Sequence, residues 1–248
     1  MTQTYKPNYA FILAAGMGSR LKPYTDTMPK PMVPVNNRPI LDYALDKLTY
    51  EQINNVTINL FYLGDRIKKH LEERHDLNIT FSIEEELLDT GGGVKKALDT
   101  INEESFYLIN GDALWTDKND TALNRLANTW DPETMDVLLL LQPIKAMTLT
   151  KGVGDYDLKP DGKAVRSKNK SGAYMFGGIR IAKKDIFQKT PNNAFSFLEL
   201  MDKAEKESRL HAIVHEGEWH HISTPDDLER VNTAIEENSS LQHSVKTA

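Results

Sequence analysis

Apolar runs of strand length alternate with segments of helical period over the first 141 residues, and this rhythm restricts the fold more than any other property of the chain. The runs 10–14, 55–60, 79–83, 106–109 and 136–141 each suit one strand. Segments 39–50 and 64–74, one opening near Gly93, and 121–128 carry apolar residues at helical spacing. A run such as 136–141, too apolar for an edge strand, belongs inside a sheet covered on both faces. The expected fold is therefore α/β, a three-layer α/β/α arrangement with a Rossmann-like mixed, mostly parallel sheet.

After Gln142 the runs shorten. Pro160-Asp161-Gly162 reads as a turn between two extended pieces, which makes a hairpin insertion. A buried strand over 174–181, a helix over 197–206, a strand over 212–215 and a last helix over 225–236 follow, with Thr224 as N-cap. The polar residues 237–248 read as a frayed tail, and 1–236 as a single domain. Net charge is −6 with a sequence pI of about 5.7, so no basic surplus exists for nucleic acid or an anionic membrane. The chain has no cysteine, which removes disulfides and thiolate metal sites. The apolar run 9–15 is too short for a membrane span or a signal segment, and the expected compartment is the cytoplasm.

Directly after the first run stands Leu13-Ala14-Ala15-Gly16-Met17-Gly18-Ser19-Arg20-Leu21-Lys22-Pro23, then Thr25, then Pro29-Lys30-Pro31. Small residues and two glycines at a strand end let backbone approach a ligand, and successive N–H groups there can cradle phosphate oxygens. Arg20 and Lys30 supply positive charge. Neither the third glycine of a dinucleotide fingerprint nor the Gly-Lys-Ser/Thr of a P-loop is present. Taken alone, the glycines also suit a tight turn with surface cations. A second cluster, Glu84-Glu85-Glu86-Leu87-Leu88-Asp89-Thr90-Gly91-Gly92-Gly93, precedes a helix expected to begin near Val94, where glycines give a ligand access to the helix's positive end. A flexible turn is the competing reading. Asn110-Gly111-Asp112 ends the run 106–109, at the carboxyl end of a strand, where open α/β sheets place ligand-binding groups. Asp112 is the first metal candidate.

Together these residues resemble the signature of the sugar-1-phosphate nucleotidyltransferase family, Leu-Ala-Ala-Gly-x-Gly-x-Arg-Leu-x-Pro, then Thr, then Pro-Lys-Pro, with every fixed position present. The resemblance runs from residue 9 to about 231 and is dense over 13–34 and 87–94. It implies the nucleotide-diphospho-sugar transferase type of fold, with a nucleotide-binding half over about 9–141 and a sugar-binding half over about 142–236. It implies that Leu13, Ala14, Ala15, Gly16, Met17 and Gly18 lie against the nucleotide, with Thr90, Gly91, Gly92 and Asn110 nearby and Glu84 facing the base. Arg20 would hold the departing pyrophosphate and Lys30 reach the reacting phosphates. Phosphoryl-type transfer needs oriented anions and well-placed charge more than covalent help, which suits these residue types. Leu-Leu-Asp-Thr-Gly-Gly-Gly-Val is similar to the uridylyltransferase branch that acts on N-acetylmuramate 1-phosphate, a step of cell-wall recycling. The Gly-Thr-Ala-Gly version seen in mannose-1-phosphate guanylyltransferases is missing.

In the family the aspartate matching Asp112 binds Mg²⁺, a hard ion suited to carboxylate, phosphate and water oxygens. A second metal carboxylate usually lies in Trp-x-Asp-x-Gly-Thr-Pro. Here the match is Trp219-His220-His221-Ile222-Ser223-Thr224-Pro225, with His221 at the aspartate position. Imidazole suits Mn²⁺ or another transition ion better than Mg²⁺. Three readings stay open: His221 as a ligand, a metal held by Asp112 with phosphates and water, or impaired activity. On the sugar side the resemblance points to Gly154, Asp155, Tyr174, Gly177 and Gly178, all of which also suit hairpin and core.

The expected reaction joins an NTP, preferably UTP, to a sugar 1-phosphate and releases pyrophosphate. The alternatives are the same reaction with GTP and mannose 1-phosphate, and a non-catalytic nucleotide-sugar binding protein. A nucleotide-sugar glycosyltransferase would carry Asp-x-Asp where Asn110 stands. The sequence indicates no oligomeric state.

Overall fold

The structure is a computed structural model that describes residues 6–246, with side chains described as far as residue 237. In chain order the elements are β1 (Tyr9–Leu13), β2 (Pro34–Val35), β3 (Arg38–Pro39), α1 (Ile40–Tyr50), β4 (Asn55–Leu60), α2 (Gly64–Leu71), β5 (Asn78–Ile83) and α3 (Asp89–Lys96). Then come β6 (Ser105–Asn110), β7 (Leu114–Trp115), α4 (Ala122–Thr129), β8 (Val137–Pro143), β9 (Tyr156–Leu158) and β10 (Ala164–Arg166). The chain continues through β11 (Tyr174–Lys183), α5 (Phe197–Lys206), β12 (Leu210–Val214), β13 (Trp219–His220) and α6 (Pro225–Lys246).

Among the described residues, nine strands form one sheet. Its body runs β5-β4-β1-β6-β11-β8-β12, and the β9–β10 hairpin joins β11 at Tyr174. All pairings in the body are parallel except those of β11, which is antiparallel to both β6 and β8. The expected mixed, mostly parallel sheet is therefore present.

Period-two alternation explains how the sheet is covered. In β1, Ala10 and Ile12 face one core while Tyr9 and Phe11 face the other. The leucine run of β8 divides likewise, Leu138 and Leu140 to one side, Val137, Leu139 and Leu141 to the other. Helices α1, α2 and α4 cover the first face through Leu41, Ile67 and Leu123; α3 and α5 cover the second through Val94 and Leu200. This burial on both faces makes the β8 run continuously apolar.

Helices α3 and α6 and the strands β7 and β13 depart from the sequence pattern. Helix α3 begins at Asp89, not near Val94, so Gly91, Gly92 and Gly93 lie inside it. A Cβ on Gly91 would stand 2.3 Å from the Phe195 ring, and one on Gly93 would stand 2.5 Å from Glu84 Oε1. Close packing there demands glycine inside a helix despite its poor propensity. Helix α6 continues to Lys246, through the segment read as a tail; no Gly or Pro interrupts the chain after Pro225. The two-residue strands β7 and β13, invisible to periodicity, pair Trp115 with Trp219 and Leu114 with His220. That ladder carries the segment after His220 to the end of β6, beside Asp112.

Candidate active site

The carboxyl ends of β1, β4 and β6 open into a cleft of about 600 Å³. Leu13, Ala14, Ala15, Gly16, Gly18, Arg20, Lys30, Thr90, Asn110 and Asp112 line it, which brings together most residues singled out in the sequence. Gly18 is left-handed at φ 62°, and a Cβ on it would press on Lys30. A Cβ on Gly16 would meet nothing within 4 Å, so packing within the protein does not require glycine there. Met17 is 52% exposed and is not part of the lining.

Lys30 Nζ donates to Asp112 Oδ2 at 2.5 Å. Burial alone would raise the Asp112 pKa; the Lys30 ammonium outweighs it and holds the carboxyl below its usual value. Arg20 makes no hydrogen bond or ion pair to another described residue, which leaves its charge available to the cleft.

The loop after β1 is held by a chain of buried polar groups. The Ala14 N–H donates to Asn59 Oδ1 at 2.8 Å, Asn59 Nδ2 donates to Glu84 Oε1 at 2.7 Å, and Leu88 N–H donates to Glu84 Oε2 at 3.0 Å. Both Glu84 oxygens are therefore engaged inside the protein, and Glu84 is not part of the cleft lining. Its placement as a base-facing group does not hold. Asn59 is not among the residues singled out in the sequence, because β4 alternates Asn55, Thr57 and Asn59 with apolar residues and only the structure shows this amide to be buried. Gly91 and Gly92 also lie outside the lining, because both N–H groups donate to Phe195 O, at 2.9 and 3.1 Å. Leu87, 43% exposed, and Asp89 form the cleft wall instead.

A second cavity of about 390 Å³ adjoins the first and shares Thr90 and Asn110 with it. Asp155 lines it, as do Tyr156, Arg166, Lys168, Lys170, Phe176 and Arg180. Burial raises the Asp155 pKa, opposed by the Phe176 N–H that donates to Oδ2 at 3.1 Å. Gly154, Tyr174, Gly177 and Gly178 do not line this cavity. A Cβ on Gly154 would stand 2.1 Å from Gly172 O, so glycine there serves backbone crossing. Gly177 and Gly178 fall in the irregularity of β11 between Phe176 and Arg180, and left-handed Gly178, at φ 70°, gives the Asn110 side chain room. Four residues of β11 span two of β8 at this irregularity, so the alternation keeps its phase and Phe176 and Arg180 reach the cavity from one face, while the glycines have no side chain to line it.

His221 stacks on Trp219 with ring centroids 5.5 Å apart, and Ser223 lines the cleft from that segment. Burial pulls the His221 pKa down, as do the Lys30 and Arg20 charges, against the nearby Asp112. Among the described residues no three His, Cys, Asp or Glu side chains converge as a metal-binding group. The Asp112 carboxylate, which lines the cleft, nevertheless fits Mg²⁺, which commonly binds through one or two carboxylates with phosphate oxygens and retained waters.

The nucleotidyl transferase family model matches residues 9–238. The chain is 32% identical, over 88% of its length and 93% of the relative's, to an N-acetylmuramate alpha-1-phosphate uridylyltransferase of Caulobacter vibrioides. It is 29% identical to a D-glycero-alpha-D-manno-heptose 1-phosphate guanylyltransferase of Aneurinibacillus thermoaerophilus, over 92% of this chain and 98% of that one. HddC from Yersinia pseudotuberculosis, solved in complex with GMP-PN, superposes with a TM-score of 0.74 at 25% identity, covering 92% of this chain and 99% of that one. Fold, cleft and family model agree: the chain belongs to the nucleotidyl transferase family, as a sugar-1-phosphate nucleotidyltransferase. Among the described residues no helix is long and apolar enough to cross a membrane.

Proposed function

We propose that the chain transfers a uridylyl group from UTP to N-acetylmuramate 1-phosphate, with Mg²⁺ bound through Asp112, in nucleotide-sugar formation for cell-wall recycling. The observation that carries this reading is the adjacency of two cavities that share Thr90 and Asn110, one lined by Arg20, Lys30 and Asp112, the other by Asp155 and a set of basic residues. A triphosphate in the first and a sugar in the second meet at the shared wall.

In the proposed reaction a phosphate oxygen of the sugar 1-phosphate bonds to the α-phosphorus of UTP, the bond from that phosphorus to the β-phosphate oxygen breaks, and pyrophosphate leaves. Ala14, Ala15 and Gly16 bring backbone against the nucleotide, and the bond from Ala14 to Asn59 fixes that backbone beforehand. Arg20 holds the leaving pyrophosphate and Lys30 the reacting phosphates, placing charge where the transition state becomes more negative. The metal supplies charge neutralisation on the phosphate oxygens. A single-carboxylate site is supported by the His221 ring lying on Trp219 and outside the cleft lining.

The uridylyl preference is supported by Leu87–Val94 and by the uridylyltransferase relatives at 32% and 30% identity. The guanylyltransferase relative at 29% identity keeps a second reading in view, guanylyl transfer to another sugar 1-phosphate. The two separate in a matrix of four NTPs against a panel of sugar 1-phosphates, with pyrophosphate release as readout. Release confined to UTP with the muramate sugar supports the first; release with GTP and a heptose or mannose phosphate supports the second.

A further inference from the structure

Arg180 stands on β11 and forms part of the wall of the second cavity, yet only 2% of it is exposed. Its guanidinium lies between two rings, 5.2 Å from the Phe176 centroid and 4.5 Å from that of Phe197. Among the described residues its one hydrogen bond runs from Nη1 to a neutral acceptor, Asn110 Oδ1, at 3.3 Å, and Nε has no partner. Among the described residues no carboxylate pairs with it. The neighbouring Arg166 takes Asp202 at 2.6 Å, and Asp155 Oδ2 is used by the Phe176 N–H. A second buried donor of the same cavity, the Tyr156 hydroxyl, also lacks a partner, and burial pushes its pKa up so that it stays protonated. Burial pulls Arg180 down to about 9, which leaves it cationic at neutral pH.

Burying a full charge without a counter-charge is costly, and aromatic faces offset only part of that cost. A guanidinium so placed in a cavity wall gains its partner when a ligand brings one. The reacting phosphate lies in the first cleft with Arg20, Lys30 and Asp112, and Arg180 is not part of that lining. Arg180 therefore faces the portion of the substrate that extends away from the phosphate, the sugar ring and its substituents. Neutral hydroxyls do not compensate a charge; a carboxylate does, and it accepts two N–H bonds from one planar fork. We propose that Arg180 is the specificity-determining residue of the second cavity and that it selects sugar 1-phosphates bearing a carboxylate substituent. This rests on the nucleotidyltransferase reading of the two cavities.

The test compares two sugars that differ only in the O3 lactyl ether that carries that carboxylate: N-acetylmuramate 1-phosphate, which has it, and N-acetylglucosamine 1-phosphate, which has a hydroxyl there. Wild type, Arg180→Met and Arg180→Lys are assayed with UTP for KM and kcat and titrated calorimetrically with each sugar phosphate. Wild type should favour the acidic sugar. Arg180→Met should raise KM and Kd for the acidic sugar on the order of 30- to 100-fold and move the neutral one by less than about 3-fold. Arg180→Lys should fall between. Methionine fits between the two rings and removes an unpaired charge, so its melting temperature should not drop; if it does, Arg180→Lys carries the same comparison. Equal losses on both sugars would assign the guanidinium to the phosphate and overturn the proposal, as would no loss on either or a wild type indifferent to the carboxylate. Selective binding without pyrophosphate release would leave Arg180's role standing and overturn the catalytic reading instead.

Discussion

The Lys30 ammonium and the Asp112 carboxylate hold each other at 2.5 Å inside the first cleft, joining a loop that follows β1 to the end of β6. The pair stores a cation and an anion where both are wanted. A metal ion held by Asp112 would free Lys30 for the triphosphate, so in the proposed reaction the two residues would act as a unit. Asp112→Ala should cut turnover by about 10²- to 10³-fold, and adding Lys30→Ala should cost much less than the product of the single losses. His221→Asn should keep Mg²⁺-dependent pyrophosphate release within roughly 10-fold of wild type if Asp112, phosphates and water complete the metal site.

Gly16 and Gly91 separate ligand room from packing room. A Cβ meets nothing at Gly16 and the Phe195 ring at Gly91. Gly16→Ala should leave the melting temperature unchanged and weaken UTP binding in calorimetry. Gly91→Ala should instead destabilise by about 1–3 kcal/mol, as overpacking does, seen as a lowered denaturation midpoint.

Glu84 holds Asn59 and the Leu88 N–H, so its removal is a structural event. Glu84→Ala leaves buried donors unpaired and should cost about 1–3 kcal/mol in urea unfolding. It should raise KM for every NTP alike. A change in the preference between UTP and GTP would assign it to the base after all.

Asp227 closes a capping box with Thr224: the Thr224 N–H donates to Asp227 Oδ2 at 2.9 Å, and the Asp227 N–H donates to Thr224 Oγ1 at 3.3 Å. Burial alone would raise the Asp227 pKa, but bonds from Thr224 and Ser223 outweigh it and hold it low. A carboxyl depressed on folding adds stability above its unfolded pKa and loses it as pH falls through the folded value. Asp227→Ala should therefore cost about 1 kcal/mol at pH 7, and the gap to wild type should close as pH falls below the ordinary carboxylate range, in pH-stepped thermal melts.

The parallel half of the sheet was legible because β1, β4, β6 and β8 are short apolar runs between amphipathic helices, and period follows burial. The first cleft was legible because its lining falls on nearly consecutive residues, Leu13 to Gly16, with Arg20 and Lys30 close behind. The second cavity was not. Its residues come from the β9–β10 hairpin, the bulged β11 and the start of α5, elements far apart in sequence that only the fold brings together. Gly91 and Gly92 looked like ligand contacts because a glycine required by Phe195 and one required by a nucleotide are the same letter. Asn59 and Arg180 were missed for a shared reason: a buried polar side chain in a strand shows its purpose only when its neighbours are in place.

The central claim is nucleotidyl transfer between the two cavities, and isotope transfer tests it most directly. With Mg²⁺, α-phosphate-labelled UTP and N-acetylmuramate 1-phosphate, the label should move into a sugar nucleotide with one pyrophosphate released per label transferred, and Arg20→Ala should abolish both. Label that stays in the triphosphate with every NTP and sugar 1-phosphate, while the nucleotide still binds, would contradict the account.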